Sequence, residues 1–139
     1  MPIYNAYAEK LFKASIDLSA VTVKLALTTS AYVPDEDNHE FFSDITNEIV
    51  ASGYPAGGVA LANVVISKDP VRNSAKFDAD NITLAGALIS ATRYGILYVF
   101  TGVPTTSDLL AYIDFLQDQS TDTGFLLNWD SIGVLEIGY

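Results

Sequence analysis

The sequence predicts a mainly β domain, an antiparallel β-sandwich or barrel-like fold preceded by one N-terminal helix. Three observations carry that expectation. Helical spacing of apolar residues is confined to the chain start, strand alternation recurs from Val21 onward, and turn-forming residues separate about seven short alternating runs. No repeat, low-complexity tract or break in composition divides the chain. Residues 1–139 therefore read as a single domain, helical over 1–19 and β over 20–139.

Over residues 4–16, Tyr4, Tyr7, Ala8, Leu11, Phe12, Ser15 and Ile16 fall at helical spacing, with Glu9, Lys10 and Lys13 opposite. Asp17 and Ser19 end that pattern. Val21, Val23, Leu25 and Leu27 then alternate with Thr22, Lys24, Ala26 and Thr28, which predicts a half-buried strand. Tyr32 to Glu40 is an acidic connection opened by Val33-Pro34-Asp35, and Phe41 to Ile49 has room for a short helix capped by Ser43 or Asp44. In Gly53-Tyr54-Pro55-Ala56-Gly57-Gly58, paired glycines supply backbone freedom at positive φ and the proline stiffens the approach to a strand over Val59–Ile66. Lys76–Ala79 and Ile82–Leu84 flank an Asp80-Asn81 turn. Leu88–Phe100 is a long strand in which Gly95 marks a bulge or a close backbone approach. Leu109–Phe115, Gly124–Trp129 and Gly133–Ile137 complete the set.

Composition narrows the function. Half the residues are apolar and 17% are charged, below the ~25% usual in soluble domains, which favours burial in protein–protein contacts. The net charge of −10 disfavours nucleic-acid binding, which needs a basic face. Lys68, Arg72 and Lys76 recur at intervals of four, but Pro70 breaks a helix there, so a solvated loop is expected. Without cysteine there is no disulfide, thiol nucleophile or thiolate metal site. No signal peptide is read at the start, and the apolar run from Gly86 to Phe100 is too short to span a bilayer. No membrane partner is expected.

Catalytic constellations fail on inspection. His39 is the single histidine, so a two-histidine metal site cannot be assembled, and a serine-hydrolase triad would have to draw its one imidazole from the acidic turn. His39 is expected to face solvent within that turn. Asp35 and Asp37 share the spacing of the first two ligands of an EF-hand loop, but His39, Glu40 and Thr46 then occupy positions the loop needs for other residues. No phosphate loop and no nucleophile elbow is present. The reading is non-enzymatic, with no cofactor and no metal; whether the acidic turns hold a cation stays open.

Eight tyrosines suit interfaces, since each offers large area at small entropic loss. Tyr4 and Tyr7 on the helix, Asp35 and Asp37 in the acidic turn, Tyr54 in the glycine turn, and Arg93 with Tyr94 on the long strand form the candidate interface set. Arg93 stands amid apolar residues and needs a carboxylate such as Asp114, or a neighbouring subunit, to avoid an isolated charge.

Several segments, taken in order, carry a resemblance. They are Val23-Lys24-Leu25-Ala26-Leu27 with Thr28-Thr29-Ser30-Ala31-Tyr32, then Pro34-Asp35-Glu36-Asp37-Asn38-His39, and Glu48, Gly53-Tyr54 and Gly57-Gly58 with Leu61 and Asn63. Phe77-Asp78-Ala79-Asp80, Ala91-Thr92-Arg93-Tyr94 with Tyr98, Leu110-Ala111-Tyr112-Ile113-Asp114-Phe115, and Trp129 with Gly133 follow. This ordered set resembles a widespread family of small virion structural proteins of tailed bacteriophages. Gly86-Ala87-Leu88 stands where that family commonly has an aromatic. The resemblance implies a place in the particle, assembled in the host cytoplasm, and supplies no catalytic residue. A homo-oligomeric capsid decoration protein on the head exterior, bound to the major capsid protein, is the first expectation. A neck, tail or fibre-attachment component is the alternative, and a host-glycan-binding module built on Tyr94, Tyr98 and Tyr112 is a third.

Overall fold

The helical stripe at the chain start ends sooner than its spacing suggests. In the computed structural model, which describes residues 1–138, α1 spans Asn5–Phe12. Ala14 takes a left-handed φ of 54° and the Ser15 amide bonds back to the Lys10 carbonyl, closing the last turn. Tyr4, Tyr7, Leu11 and, beyond the helix, Ile16 of the expected face turn inward; Phe12 is 93% exposed.

Nine strands follow among the described residues: β1 (Thr22–Thr29), β2 (Val59–Ala60), β3 (Val65–Asp69), β4 (Ser74–Asp78), β5 (Ile82–Ala85), β6 (Thr92–Phe100), β7 (Leu109–Gln119), β8 (Gly124–Leu127) and β9 (Leu135–Gly138). The expected strand over Val59–Ile66 divides in two. Asn63 adopts a positive φ of 52° and donates its amide to Asp80, which takes residues 61–64 out of the ladder. The basic triplet is not a solvated loop. Lys68 and Lys76 lie on the arms of a β3–β4 hairpin, and Arg72 sits in its turn, where the Asp69 carboxylate accepts the amides of Val71 and Arg72. Phe41 to Ile49 holds a single 3-10 turn, Phe42–Asp44. Asp44 caps it from its third residue, accepting the Glu40 and Phe41 amides.

The organising element is a four-stranded antiparallel sheet in the order β2-β1-β6-β7. Its register runs from Thr22↔Phe100 to Thr29↔Thr92 between β1 and β6. Alternation then assigns the faces. One face carries Val23, Leu25, Leu27, Leu97 and Val99; the other carries Ala26, Thr28, Ile96 and Tyr98, so β1 is buried on both sides toward its C-terminal end. At Gly95 the close approach is to a side chain. A Cβ there would stand 3.1 Å from Leu25 Cδ1. The register shifts of β6 fall beside it, between Thr92 and Tyr94 and between Leu97 and Tyr98.

Two small sheets cover the first face, β3-β4-β9 and β5-β8. Phe77, Ile82, Ile89, Phe125 and Val134 pack there with Tyr7 and Leu18 against Leu25, Leu97 and Leu110. Each fully buried Val, Leu, Ile or Phe side chain among them contributes roughly 1.5–3 kcal/mol of burial. This is the expected sandwich, with a second layer made of two pieces. The second face is covered by chain with little regular structure. Residues 30–48 cross it, fixed at the ends where the Ile49 and Thr29 amides donate to the Leu27 and Asn47 carbonyls, and in the middle where the Phe42 and Leu109 amides donate to the Ser107 and Glu40 carbonyls. The chain start adds to the outer edge of β7 through Tyr4 and Tyr112 amides donated to Leu110 and Pro2. No helix among the described residues is long and apolar enough to cross a membrane.

The glycine segment locks β2 to β1. Gly58 has φ +81°, and a Cβ on it would lie 1.9 Å from the Leu25 carbonyl oxygen. The turn before it is held by Glu48, whose carboxylate accepts the Tyr54 hydroxyl at 2.8 Å and the Gly57 amide at 2.6 Å. Tyr54 in turn accepts the Leu27 amide at 2.9 Å, and Tyr98 donates to the Gly57 carbonyl.

Candidate functional site

On the second face of the central sheet, four tyrosines and the single histidine meet beneath the acidic loop. β6 supplies Tyr94, β7 supplies Tyr112, the start of α1 supplies Tyr4, and residues 32–39 supply Tyr32 and His39. The Tyr32 ring meets Tyr94 edge-on at 6.3 Å, Tyr94 meets Tyr112 at 6.2 Å, and Tyr112 tilts against Tyr4 at 5.7 Å. His39 stacks on Tyr32 at 5.4 Å.

A hydrogen-bonded chain runs through this cluster. Tyr4 and Tyr32 hydroxyls are 2.9 Å apart, and the Tyr32 hydroxyl is 2.9 Å from His39 Nδ1. The Asp35 amide also points at Nδ1, at 3.2 Å, and an amide can only donate. Nδ1 therefore accepts both bonds, the imidazole proton sits on Nε2, and the order of donation is Tyr4 to Tyr32 to His39. His39 is thus not the free solvent-facing residue expected of its acidic surroundings. Its ring is half-buried because Tyr32, seven residues earlier, offers both a stacking face and a hydroxyl.

Burial pushes the Tyr32 hydroxyl up to about 12, against the opposing bond from Tyr4. Burial does the same to Tyr112, also to about 12, reinforced by its bond to Glu36. Tyr4 is pushed up further still, chiefly by burial and then by its bond to Tyr32. These phenols stay protonated at neutral pH and serve as donors. None of these three phenols is poised to exchange a proton near neutrality.

The acids of the loop are fixed above it. Asp35 accepts the amides of Asp37 and Asn38 at 3.1 Å and the Asn38 side chain at 2.9 Å, an Asx turn whose bonds hold its carboxyl below the usual range. Asp37 accepts from the Asn5 side chain, and the Asn5 amide bonds to the Glu36 carbonyl at 2.9 Å. Lys10 bridges Glu40 and Asp108 and lies 4.6 Å from the Phe41 ring, tying α1 to loop and sheet. At the far end, Arg93 pairs with Asp114 through Nε at 2.6 Å and a second nitrogen at 3.1 Å, as its isolation in the sequence required. The register shift beside Tyr94 leaves Arg93 unopposed on β7 and free to reach that carboxylate.

Of the candidate interface set, Asp35, Asp37, Arg93 and Tyr94 share this face and reach the surface. Tyr4 lies under the same face but is fully buried, so it supports the face without meeting a partner. Tyr7 and Tyr54 are corrected outright. Tyr7 packs on the opposite side of the sheet, and Tyr54 is buried beneath the glycine turn it braces. The tyrosine platform required by a glycan-binding reading does not form, because Tyr98 is buried with Phe42 stacked on it at 4.3 Å. Sequence reasoning singles out Tyr112 only for a glycan platform and misses Tyr32 and Glu36; the signal available for Tyr32 is its spacing to His39 within one loop. Among the described residues no group of three or more histidines and carboxylates is placed to hold a metal ion. Comparison with protein-family models, with curated proteins and with solved structures finds no match.

Proposed function

We propose that the chain is a non-enzymatic virion structural protein of a tailed bacteriophage, a capsid decoration protein that binds the assembled shell. The observation that carries this reading is the tethered acidic loop. Asp35, Glu36 and Asp37 are held in place by the Asx turn, Tyr112 and Asn5, over an aromatic bed. A preformed anionic surface loses little conformational entropy on docking and suits a basic patch on a coat protein. The ordered resemblance across nearly the whole chain supports the same class.

Stabilisation would follow mass action. A protein that binds the shell and not its dissociated subunits shifts assembly in proportion to occupancy. Repetition of modest contacts over a symmetric lattice, with the decoration protein itself oligomeric, makes attachment lasting.

The test is co-sedimentation of the purified protein with assembled shells and, separately, with unassembled coat protein. Binding to shells alone is expected, with a Glu36→Lys/Asp37→Lys double variant retained at least about tenfold more weakly. Equal retention of that variant would remove the acidic face from the account, and absence of shell binding would remove the decoration role.

A further inference from the structure

Across the central sheet from the acidic face, the sandwich is open at one end. The inner surface of the β3-β4-β9 sheet extends past the core, and its apolar row, Ile66, Ala75, Phe77, Leu135 and Ile137, is only partly covered. Ile66 and Ile137 remain 51% and 57% exposed. Opposite stand Ile3, Leu11 and Ile16 of the N-terminal segment, and Trp129 lines the same groove. The space between is a groove of about 880 Å³.

Two further features say what fits it. First, β9 hydrogen-bonds to β4 alone among the described strands, so its other edge offers main-chain donors and acceptors beside the apolar row. Second, the charged residues at the groove are acidic in balance. Asp17, Asp130 and Glu136 line it against Lys76, and Asp17 and Asp130 hold no ion pair among the described residues. A fatty acid would bring its carboxylate to that rim. A second copy in two-fold contact would set the same acids against themselves, in a chain of net charge −10.

We propose that this groove takes an extended segment of a partner protein, apolar at alternate positions and flanked by lysine or arginine, added as a strand to the free edge of β9. Main-chain bonds to Leu135–Gly138 supply affinity, Leu135 and Ile137 at the β9 end of the apolar row meet the alternate side chains, and Asp17 and Asp130 select the basic flanks. Nothing at the groove depends on the acidic face or on the virion assignment.

Trp129 is the single tryptophan, so its fluorescence reports on the groove. The probes are short peptides of alternating valine and threonine flanked by lysine, the same peptide flanked by glutamate, and the lysine peptide N-methylated at alternate amides. Saturable binding of the lysine peptide is expected. The glutamate and N-methylated peptides should bind at least about tenfold more weakly, as should the lysine peptide to Ile137→Lys, whose exposed position leaves the far-UV circular dichroism unchanged. No response to the lysine peptide, or equal affinity for lysine and glutamate flanks, would overturn the proposal. So would sedimentation as a dimer that Ile137→Lys converts to monomer, since a second copy would then be the occupant.

Discussion

The two faces of the central sheet are finished in different ways. The second face is closed by an irregular loop, and its packing is directional: Tyr4, Tyr32 and His39 are joined hydroxyl to hydroxyl to imidazole, with Tyr94 and Tyr112 set edge-on around them. The first face is closed by sheets, and its packing mixes aliphatic side chains with phenyl rings such as Phe77 and the edge-on pair Phe115–Phe125. No hydroxyl chain links ring to ring there among the described residues, and the face is left open where the β3-β4-β9 sheet passes beyond the core. A loop has no ladder of its own, so side-chain hydrogen bonds must fix its position. A sheet brings its ladder with it and can overhang. One face is therefore rigid and anionic at its surface, while the other keeps an unfilled apolar groove.

The largest expected effect breaks the second face with base. Tyr32 and Tyr98 have folded-state values pushed up to about 12 by burial, against an unfolded value near 10. Their stabilisation is fully present below pH ~10 and lost as pH rises toward 12, on the order of 2–3 kcal/mol for each. Tyrosinate absorbance should therefore rise together with loss of near-ultraviolet circular dichroism, not before it. Gly58→Ala attacks the joint that both faces share. The added methyl cannot coexist with the Leu25 carbonyl, and a loss of about 3 kcal/mol or more in denaturant unfolding is expected.

A matched pair sharpens the comparison. Tyr32→Phe removes the hydroxyl that links Tyr4 to His39 and should cost about 1–3 kcal/mol. Tyr7→Phe, on the first face, loses no hydrogen bond among the described residues and should stay within about 0.5 kcal/mol of the parent. Equal costs would erase the distinction between the faces. Thr28 is fully buried and its hydroxyl has no partner among the described residues, so Thr28→Val should stabilise by about 1 kcal/mol. The smallest change lies at the overhang. Arg72 grips Glu136 at 2.7 and 2.9 Å and holds its carboxyl down to about 2. That contact is present above the unfolded carboxylate value and is lost only as pH falls through about 2, so Arg72→Ala should raise the Glu136 midpoint in an NMR titration with little change in thermal unfolding.

Much of the architecture is legible in the residues themselves. Alternation places β1, β6 and β7, and the demand for a counter-ion ties Arg93 to Asp114. Other features are hidden for physical reasons. Helical spacing cannot reveal that Ala14 turns left-handed, and so it assigns Phe12 to the wrong surface. Tyrosine content favours interfaces and cores alike, and only the fold shows that Tyr7 and Tyr54 are structural. The groove is invisible to pattern because Ile66, Phe77, Leu135 and Ile137 read as ordinary strand residues. Which of them lies past the edge of the core is a matter of how layers overlap, and no local pattern encodes it.

The measurement that bears most directly on the central proposal, a protein that decorates an assembled shell, is its copy number in purified phage particles, by quantitative mass spectrometry against the major capsid protein. A ratio approaching that of the capsid protein is the predicted result. A few per cent of that ratio would contradict decoration and place the chain at the neck or tail, and absence from the particle would contradict the virion reading itself.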